Sequence, residues 1–234
     1  MRNYFTIENT NSTTFGVYIS GQGTFKAPAR SLNMLSIPGK DGDLIGFGSR
    51  LENGTITYPA FIYANFDSNI AALRAFLQSM DGYKKLVDTY HPDEYRMVYY
   101  SGPFEPSVEN NNKVGSFDIT FGCKPQRYLT SGDTVRTFTA AGTINNPTRF
   151  NAKPLIRVYG TGTVGIGSQT ITISQADSYT DIDCEMMECF KGSVSKNQYV
   201  SFSGYDFPEL KPGNNGVTLS GVSRVEITPR WWTV

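Results

Sequence analysis

The sequence has one histidine, His91, and three cysteines, Cys123, Cys184 and Cys189. A single imidazole excludes a multi-histidine metal centre and leaves a Ser-His-Asp triad one base at most. An odd, sparse set of cysteines argues against a disulfide framework. Charge of one sign is also lacking, since 21 Lys and Arg balance 21 Asp and Glu without blocks of either kind. A general binder of nucleic acid or anionic membrane carries a basic excess or patch, and none shows. No apolar run approaches the ~20 residues of a membrane span. The start, Met1-Arg2-Asn3-Tyr4-Phe5-Thr6, has a positive charge but no apolar stretch behind it. That is not a secretory signal, so the expectation is synthesis and folding in a cytoplasm. The sequons Asn11-Ser12-Thr13 and Asn53-Gly54-Thr55 then read as loop chemistry.

What is present is glycine, proline and aromatic residue. The 234 residues include 23 Gly, 12 Pro, 14 Tyr and 15 Phe, and 39% are hydrophobic. This length suits one or two domains with packed cores. The composition predicts many short strands and turns, hence a mostly β fold. One segment, 67–80, reads as helix. Ile70, Leu73, Leu77 and Met80 recur at helical steps and build one apolar stripe. Asp67 or Ser68 is placed to cap its start, and Gly82 follows its end, where a left-handed residue is favoured. Strand candidates surround it: Thr55-Ile56-Thr57-Tyr58 and Phe61-Ile62-Tyr63 before, Tyr95-Arg96-Met97-Val98-Tyr99-Tyr100 after. Phe117, Ile119, Phe121 and Cys123 alternate with Asp118, Thr120 and Gly122, the period of a half-buried strand.

After Lys124-Pro125-Gln126-Arg127-Tyr128 the composition shifts to Thr, Asn, Gly and Ala, which places a domain boundary near residue 130. A turn-rich lead-in, Asn146-Pro147-Thr148-Arg149-Phe150-Asn151-Ala152-Lys153, delivers a strand that begins at Pro154, where φ is preset and no ladder donor is needed. Strands are expected at 155–159, 169–173, 182–189, 199–202, 217–219 and 224–228. Their regular spacing favours an antiparallel sandwich.

Few motifs carry chemistry. Gly160-Thr161-Gly162-Thr163-Val164-Gly165 matches the dinucleotide-binding glycine pattern, but that site needs a helix behind the loop. Here Gln169-Thr170-Ile171-Thr172-Ile173 follows, β-branched and alternating, so the loop feeds a strand. His91 sits in Asp88-Thr89-Tyr90-His91-Pro92-Asp93-Glu94, read as a solvated loop without metal-ligand spacing. Cys184 and Cys189 are too far apart for a C-x-x-C site and read as core thiols, with Ile182, Cys184 and Met186 on one strand face. Many acidic pairs exist and none is singled out for glycosidase chemistry. No catalytic, cofactor or metal residue is therefore predicted. Two groups stand out as candidate contacts. Gly39, Asp41, Gly42 and Asp43 form an acidic, glycine-flanked hairpin tip. Trp231 and Trp232 are adjacent, so on a strand one packs inward while the other is open to a partner.

Several segments, in this order, resemble the distal tail (Dit) proteins of long-tailed phages. They are Ser36-Ile37-Pro38-Gly39-Lys40-Asp41-Gly42-Asp43-Leu44, the helix at 67–80, Phe117-Asp118-Ile119-Thr120-Phe121-Gly122-Cys123-Lys124-Pro125-Gln126-Arg127-Tyr128, the run 146–162, Ile182-Asp183-Cys184-Glu185-Met186-Met187-Glu188-Cys189-Phe190, and Asp206-Phe207-Pro208-Glu209-Leu210-Lys211-Pro212-Gly213-Asn214-Asn215. The resemblance covers essentially the whole chain. It implies a ring-forming β-rich domain with one helix over 1–130 and a galectin-like antiparallel β-sandwich over 131–234. The last strand, 224–234, is left open between the sandwich and a return to the first domain. It implies a structural virion protein without enzymatic activity: a homo-hexameric ring at the tail tip, assembled in the host cytoplasm. The implied partners are the major tail tube protein, the tail-associated tip protein and a receptor-binding protein. A channel passes DNA without specific binding, and there is no membrane insertion. The alternative reading is a carbohydrate-binding β-sandwich module that attaches to a host surface.

Overall fold

The computed structural model describes residues 2–21, 25–46, 50–109 and 113–234. They fall into two compact units, Met1–Arg127 with Val234, and Tyr128–Thr233.

The first unit is built on an antiparallel sheet. Its strands lie in the order Thr10–Asn11, Phe5–Ile7, Lys84–Asp88, Glu94–Tyr99, Val114–Leu129, Gly54–Ile62 and Val17–Ile19. Along Val114–Leu129, Phe117, Ile119 and Phe121 are buried while Ser116, Asp118 and Thr120 are exposed, as the alternation requires. Thr55–Tyr58 and Phe61–Tyr63, expected as two strands, join into one, Gly54–Ile62. Pro59 is tolerated inside it for a local reason. Its carbonyl accepts from the Ser20 N–H at 2.8 Å. In an antiparallel strand a residue's N–H and C=O point to the same neighbour, so the donor that Pro59 lacks faces the point where the Val17–Ile19 ladder has ended.

The helix is Phe66–Gln78, and Phe66, Ile70, Leu73 and Leu77 bury its apolar stripe in the sheet's core. Met80 packs against that core from beyond the helix end. The start differs from expectation. Neither Asp67 nor Ser68 caps it; Asn65 does so in a left-handed conformation, φ 52°, without a side-chain cap bond. The sheet strand ends at Ile62, and the tight entry demands a reversal that Asn tolerates better than most residues. Asp67 still lies in the first turn, where its charge suits the helix dipole.

One polar node crosses this core. The buried Asp88 carboxylate accepts the Tyr58 hydroxyl at 2.5 Å on one oxygen, and the Tyr90 and His91 N–H groups at 3.0 and 2.9 Å on the other. Burial and the adjacent carboxylate hold the Tyr58 hydroxyl well above its ordinary pKa, so it remains a donor.

The second unit is two antiparallel sheets face to face. One runs Arg136–Phe138, Arg224–Thr228, Leu155–Tyr159, Thr180–Asp183, Glu188–Lys191, Val194–Ser195; the other runs Gly142–Asn146, Gly213–Ser220, Gly162–Ile166, Gln169–Ile173, Val200–Phe202. Ile156, Val158, Ile182, Val225 and Ile227 from the first meet Val164, Ile166, Ile171, Ile173 and Val217 from the second. The lead-in at 146–153 is shaped by buried Asn146, which accepts from the Thr148 N–H and hydroxyl and donates to the Phe150 and Leu210 carbonyls. The expected strand 182–189 is corrected to two strands with a turn between, because Asp183 accepts the Glu185 and Met186 N–H groups and bends the chain. Met186 is therefore exposed, away from the face that Ile182 and Cys184 bury.

The glycine pattern at 160–165 feeds the hairpin of Gly162–Ile166 with Gln169–Ile173. Gly162 holds φ at 144°, and a Cβ there would run into the Ser220 carbonyl and the backbone of Gly221. Gly162→Ala should lower stability by about 2 kcal/mol or more, because backbone cannot yield as a side chain does. Gly216, with open space around it, is the control: its Ala variant should unfold within about 0.5 kcal/mol of wild type. Denaturant titration of both variants is the check.

Candidate assembly interface

Residues 29–52 stand outside the main sheet of the first unit. Their described residues form a two-stranded ribbon. At its root the Glu52 N–H donates to the Ala29 carbonyl at 2.8 Å, and Arg30–Ser31 pairs with Arg50–Leu51. Further out the Gly46 N–H donates to the Asn33 carbonyl, and Met34–Leu35 pairs with Leu44–Ile45. The chain reverses at 38–43, where Gly39 and Gly42 take φ of 81° and 78° with nothing within reach of a Cβ. Asp41 and Asp43 are exposed there.

Opposed residues of a ribbon share a face. Met34 and Ile45 share one face, 52% and 63% exposed; Leu35 and Leu44 share the other, 50% and 43% exposed. Leu32, Ile37 and Phe25 are exposed as well. The ribbon is thus apolar on both sides, and two strands alone are marginal in water. Covering those four opposed side chains would contribute about 1 kcal/mol each, since half of each is already buried.

His91 is not the solvated residue expected. Its side chain is 20% exposed, with Nδ1 3.5 Å from an Asp88 oxygen and the Phe25 ring edge-on at 5.4 Å.

The tryptophans belong to the second unit, and the structure separates their roles. Trp231, 3% exposed, is part of the core. Trp232 is half-buried, stacks on Phe150 at 4.3 Å and donates Nε1–H to the Asn151 carbonyl at 2.9 Å. Arg230 orients both. It sits at φ 57°, its N–H donates to the Gly132 carbonyl, and its guanidinium grips the buried Asp183 carboxylate by two bonds of 2.8 Å. The Leu129 N–H donates to the Trp231 carbonyl at 2.8 Å, so the beginning and end of this unit are tied together. Burial would raise the Asp183 carboxyl, but Arg230 and the Met186 and Glu185 N–H groups outweigh it and hold it below the ordinary carboxylate value. The cysteines are packed thiols. Burial, with Asp183 beside it, pushes Cys184 far up; burial with Glu188 pushes Cys189 to about 12. Neither ionises near neutrality, so neither is a nucleophile. Among the described residues no group of three His, Cys, Asp or Glu side chains is placed to hold a metal ion.

Residues 8–123 match the family model of the phage tail protein RIFT-related domain, which spans nearly all of the first unit and its ribbon. The chain carries a phage tail protein domain. No curated protein sequence matches it. Solved structures match over its full length. The crystal structure of the Dit protein of phage SPP1, described as a paradigm of hub adsorption apparatus in phages infecting Gram-positive hosts, superposes with a TM-score of 0.75 at 13% identity, covering 100% of both chains. A chain of the phage p2 baseplate in its calcium-activated conformation gives 0.53 at 12% identity over 97% of each chain, and the strontium form gives 0.52 at 12% over 96%. The fold is that of Dit, and the resemblance read from the motif order is borne out.

Sequence reasoning placed Gly39, Asp41, Gly42 and Asp43 at the ribbon's tip and missed its apolar flanks. Leu32, Met34, Leu35 and Ile45 were not singled out from the sequence. The signal available was their brevity: two short apolar runs around one turn, with no third strand beside them.

Removing Arg230 tests what holds the tryptophans. A depressed carboxylate pKa adds stability above its unfolded value, near 4, and loses it as pH falls through the folded value. Arg230→Met should therefore cost about 3 kcal/mol at pH 7. The gap from wild type should close as pH falls toward 3, where protonated Asp183 needs no cation. Urea unfolding at several pH values reads this directly.

Proposed function

We propose that this protein is the distal tail hub of a long-tailed phage, a structural component that joins the tail tube to the tail tip. In this reading it forms a homo-hexameric ring, contacts the major tail tube protein on one side and the tail-associated tip protein on the other, and leaves a channel through which DNA passes. A receptor-binding protein attaches at the outer domain. The protein is made in the host cytoplasm and resides in the virion. It acts by assembly rather than catalysis.

The ribbon at 29–52 carries this reading. A ring needs contacts between two different patches of one subunit. A strip apolar on both faces, with the Met34–Ile45 and Leu35–Leu44 pairs left about half exposed by the described residues, is suited to lie across a neighbouring copy. The full-length likeness to Dit supports the same role. Balanced charge is compatible with a channel that does not hold phosphate, since retention needs many cationic contacts. Trp231 is spent in the core and takes no part; the exposed part of Trp232 remains a second, smaller contact.

Light scattering across a concentration series, with negative-stain images of the same sample, should give a hexamer with a central hole. Met34→Asp with Ile45→Asp should abolish it while leaving thermal unfolding unchanged, because both side chains already face water. Asp41→Lys with Asp43→Lys should weaken it at the tip. A monomer at every concentration, persisting when tail tube protein is added, would overturn the hub reading. Undisturbed rings in both double variants would remove the ribbon from the interface.

A further inference from the structure

The ribbon springs from a cationic recess. Lys26, Arg96, Lys124 and Arg127 line a cleft of about 110 Å³ in the first unit, and Ala29, at the ribbon's root, lines it with them. Among the described residues no Asp or Glu side chain does so. Val234 lines it too, and a terminal carboxylate there would still leave the cations in excess.

Two of the four cations are held deep. Arg96 is 9% exposed and the Arg127 side chain 13%. Lys124 keeps its ammonium 5.3 Å from the centre of the Tyr83 ring, whose hydroxyl accepts from Asn53 at 2.7 Å. Lys26 is exposed, with Nζ 3.5 Å from the Thr55 hydroxyl. The nearby carboxylates are engaged. Glu94 meets Arg127 at 3.5 Å, and Asp88 accepts from Tyr58, Tyr90 and His91. Burial, and then the neighbouring Arg96 charge, lower the Arg127 pKa. An incoming carboxylate relieves such crowding of like charge, and a guanidinium can take it by two bonds.

The far end of the ribbon has the opposite sign. Asp41 and Asp43 are exposed at the turn, and with Lys40 between the glycines the tip keeps one carboxylate in excess. Gly39 and Gly42 make that tip narrow. Pairing at Arg30–Ser31 with Arg50–Leu51, and at Met34–Leu35 with Leu44–Ile45, holds it away from its own root. The two charged patches of one copy therefore cannot meet each other.

We infer that the Asp41–Asp43 tip of one copy docks in the Lys26–Arg96–Lys124–Arg127 cleft of the next. This rests on the ring reading and names the two different patches that a closed ring requires. The reach fits. From Ala29 to Gly39 the ribbon extends about 30 Å, and a compact body of ~100 residues is about 35 Å across. A neighbour set one body-width along brings its cleft to the tip. The apolar flanks then supply area, and the charges supply register and direction. Nucleic acid is a poorer fit, because its binders spread cations over an open face, whereas Arg96 and Arg127 are recessed.

A charge exchange tests the pairing, read by light scattering on the full chain across a concentration series at about 0.1 M salt. Asp41→Lys with Asp43→Lys, and separately Lys26→Glu with Lys124→Glu, should each raise the concentration needed for half-association about tenfold or more. Mixed in equal amounts, the two variants should regain rings, since alternating copies around six positions restore every contact. A single chain carrying all four changes should also assemble, which separates mispairing from misfolding. Normal rings in both double variants, or no rescue in the mixture and in the fourfold chain, would overturn the pairing and leave the ring standing. A wild-type chain that stays monomeric even with tail tube protein would remove the ring and this contact with it. Duplex DNA bound by the wild type and lost in the Lys26→Glu, Lys124→Glu variant, with association unchanged, would assign the cations to phosphate and overturn the pairing.

Discussion

A two-stranded ribbon has two faces and no layer behind either. Among the described residues, the main strands of both units solve that problem within their own unit, by packing on the helix Phe66–Gln78 or on a facing sheet. The ribbon at 29–52 does not. Its opposed pairs are aliphatic on both faces and remain half in water. Covering hydrophobic area of this kind is favourable whatever surface supplies the cover, which is why the proposed ring contact is placed there.

The second unit distributes its polar groups in the opposite way. Asn146, Asn215, Asp181 and Asp183 are buried and matched: Asp181 takes two bonds from Arg157 at 2.6 and 2.9 Å, as Asp183 does from Arg230. Removing one member of such a pair leaves the other charge stranded, so these contacts fix one geometry. Among the described residues the Thr180 hydroxyl, fully buried in the same sheet, is an exception without a hydrogen-bond partner.

Periodicity made the helix and the long alternating strand legible, because Ile70, Leu73 and Leu77, and Phe117, Ile119 and Phe121, carry their burial in their spacing. The turn inside 182–189 was not legible, because Asp183 bends the chain through its side chain and no glycine or proline marks the place. The strand through Pro59 was hidden by the usual rule for proline, which fails here because the missing donor faces a ladder that has already stopped. Of the ribbon, the glycines showed the turn, but whether Met34 and Ile45 would be covered is a property of tertiary packing that a short run cannot express.

Cys123, Cys184 and Cys189 are free and buried. Oxidants act on thiolates they can reach, and the two shielded thiols of the sandwich stay protonated at neutral pH. Nothing in the packing invites cross-linking, sulfenic acid formation or mixed disulfides. Packing therefore shields all three thiols from oxidants in solution, and the chain needs no covalent cross-link to hold its two cores.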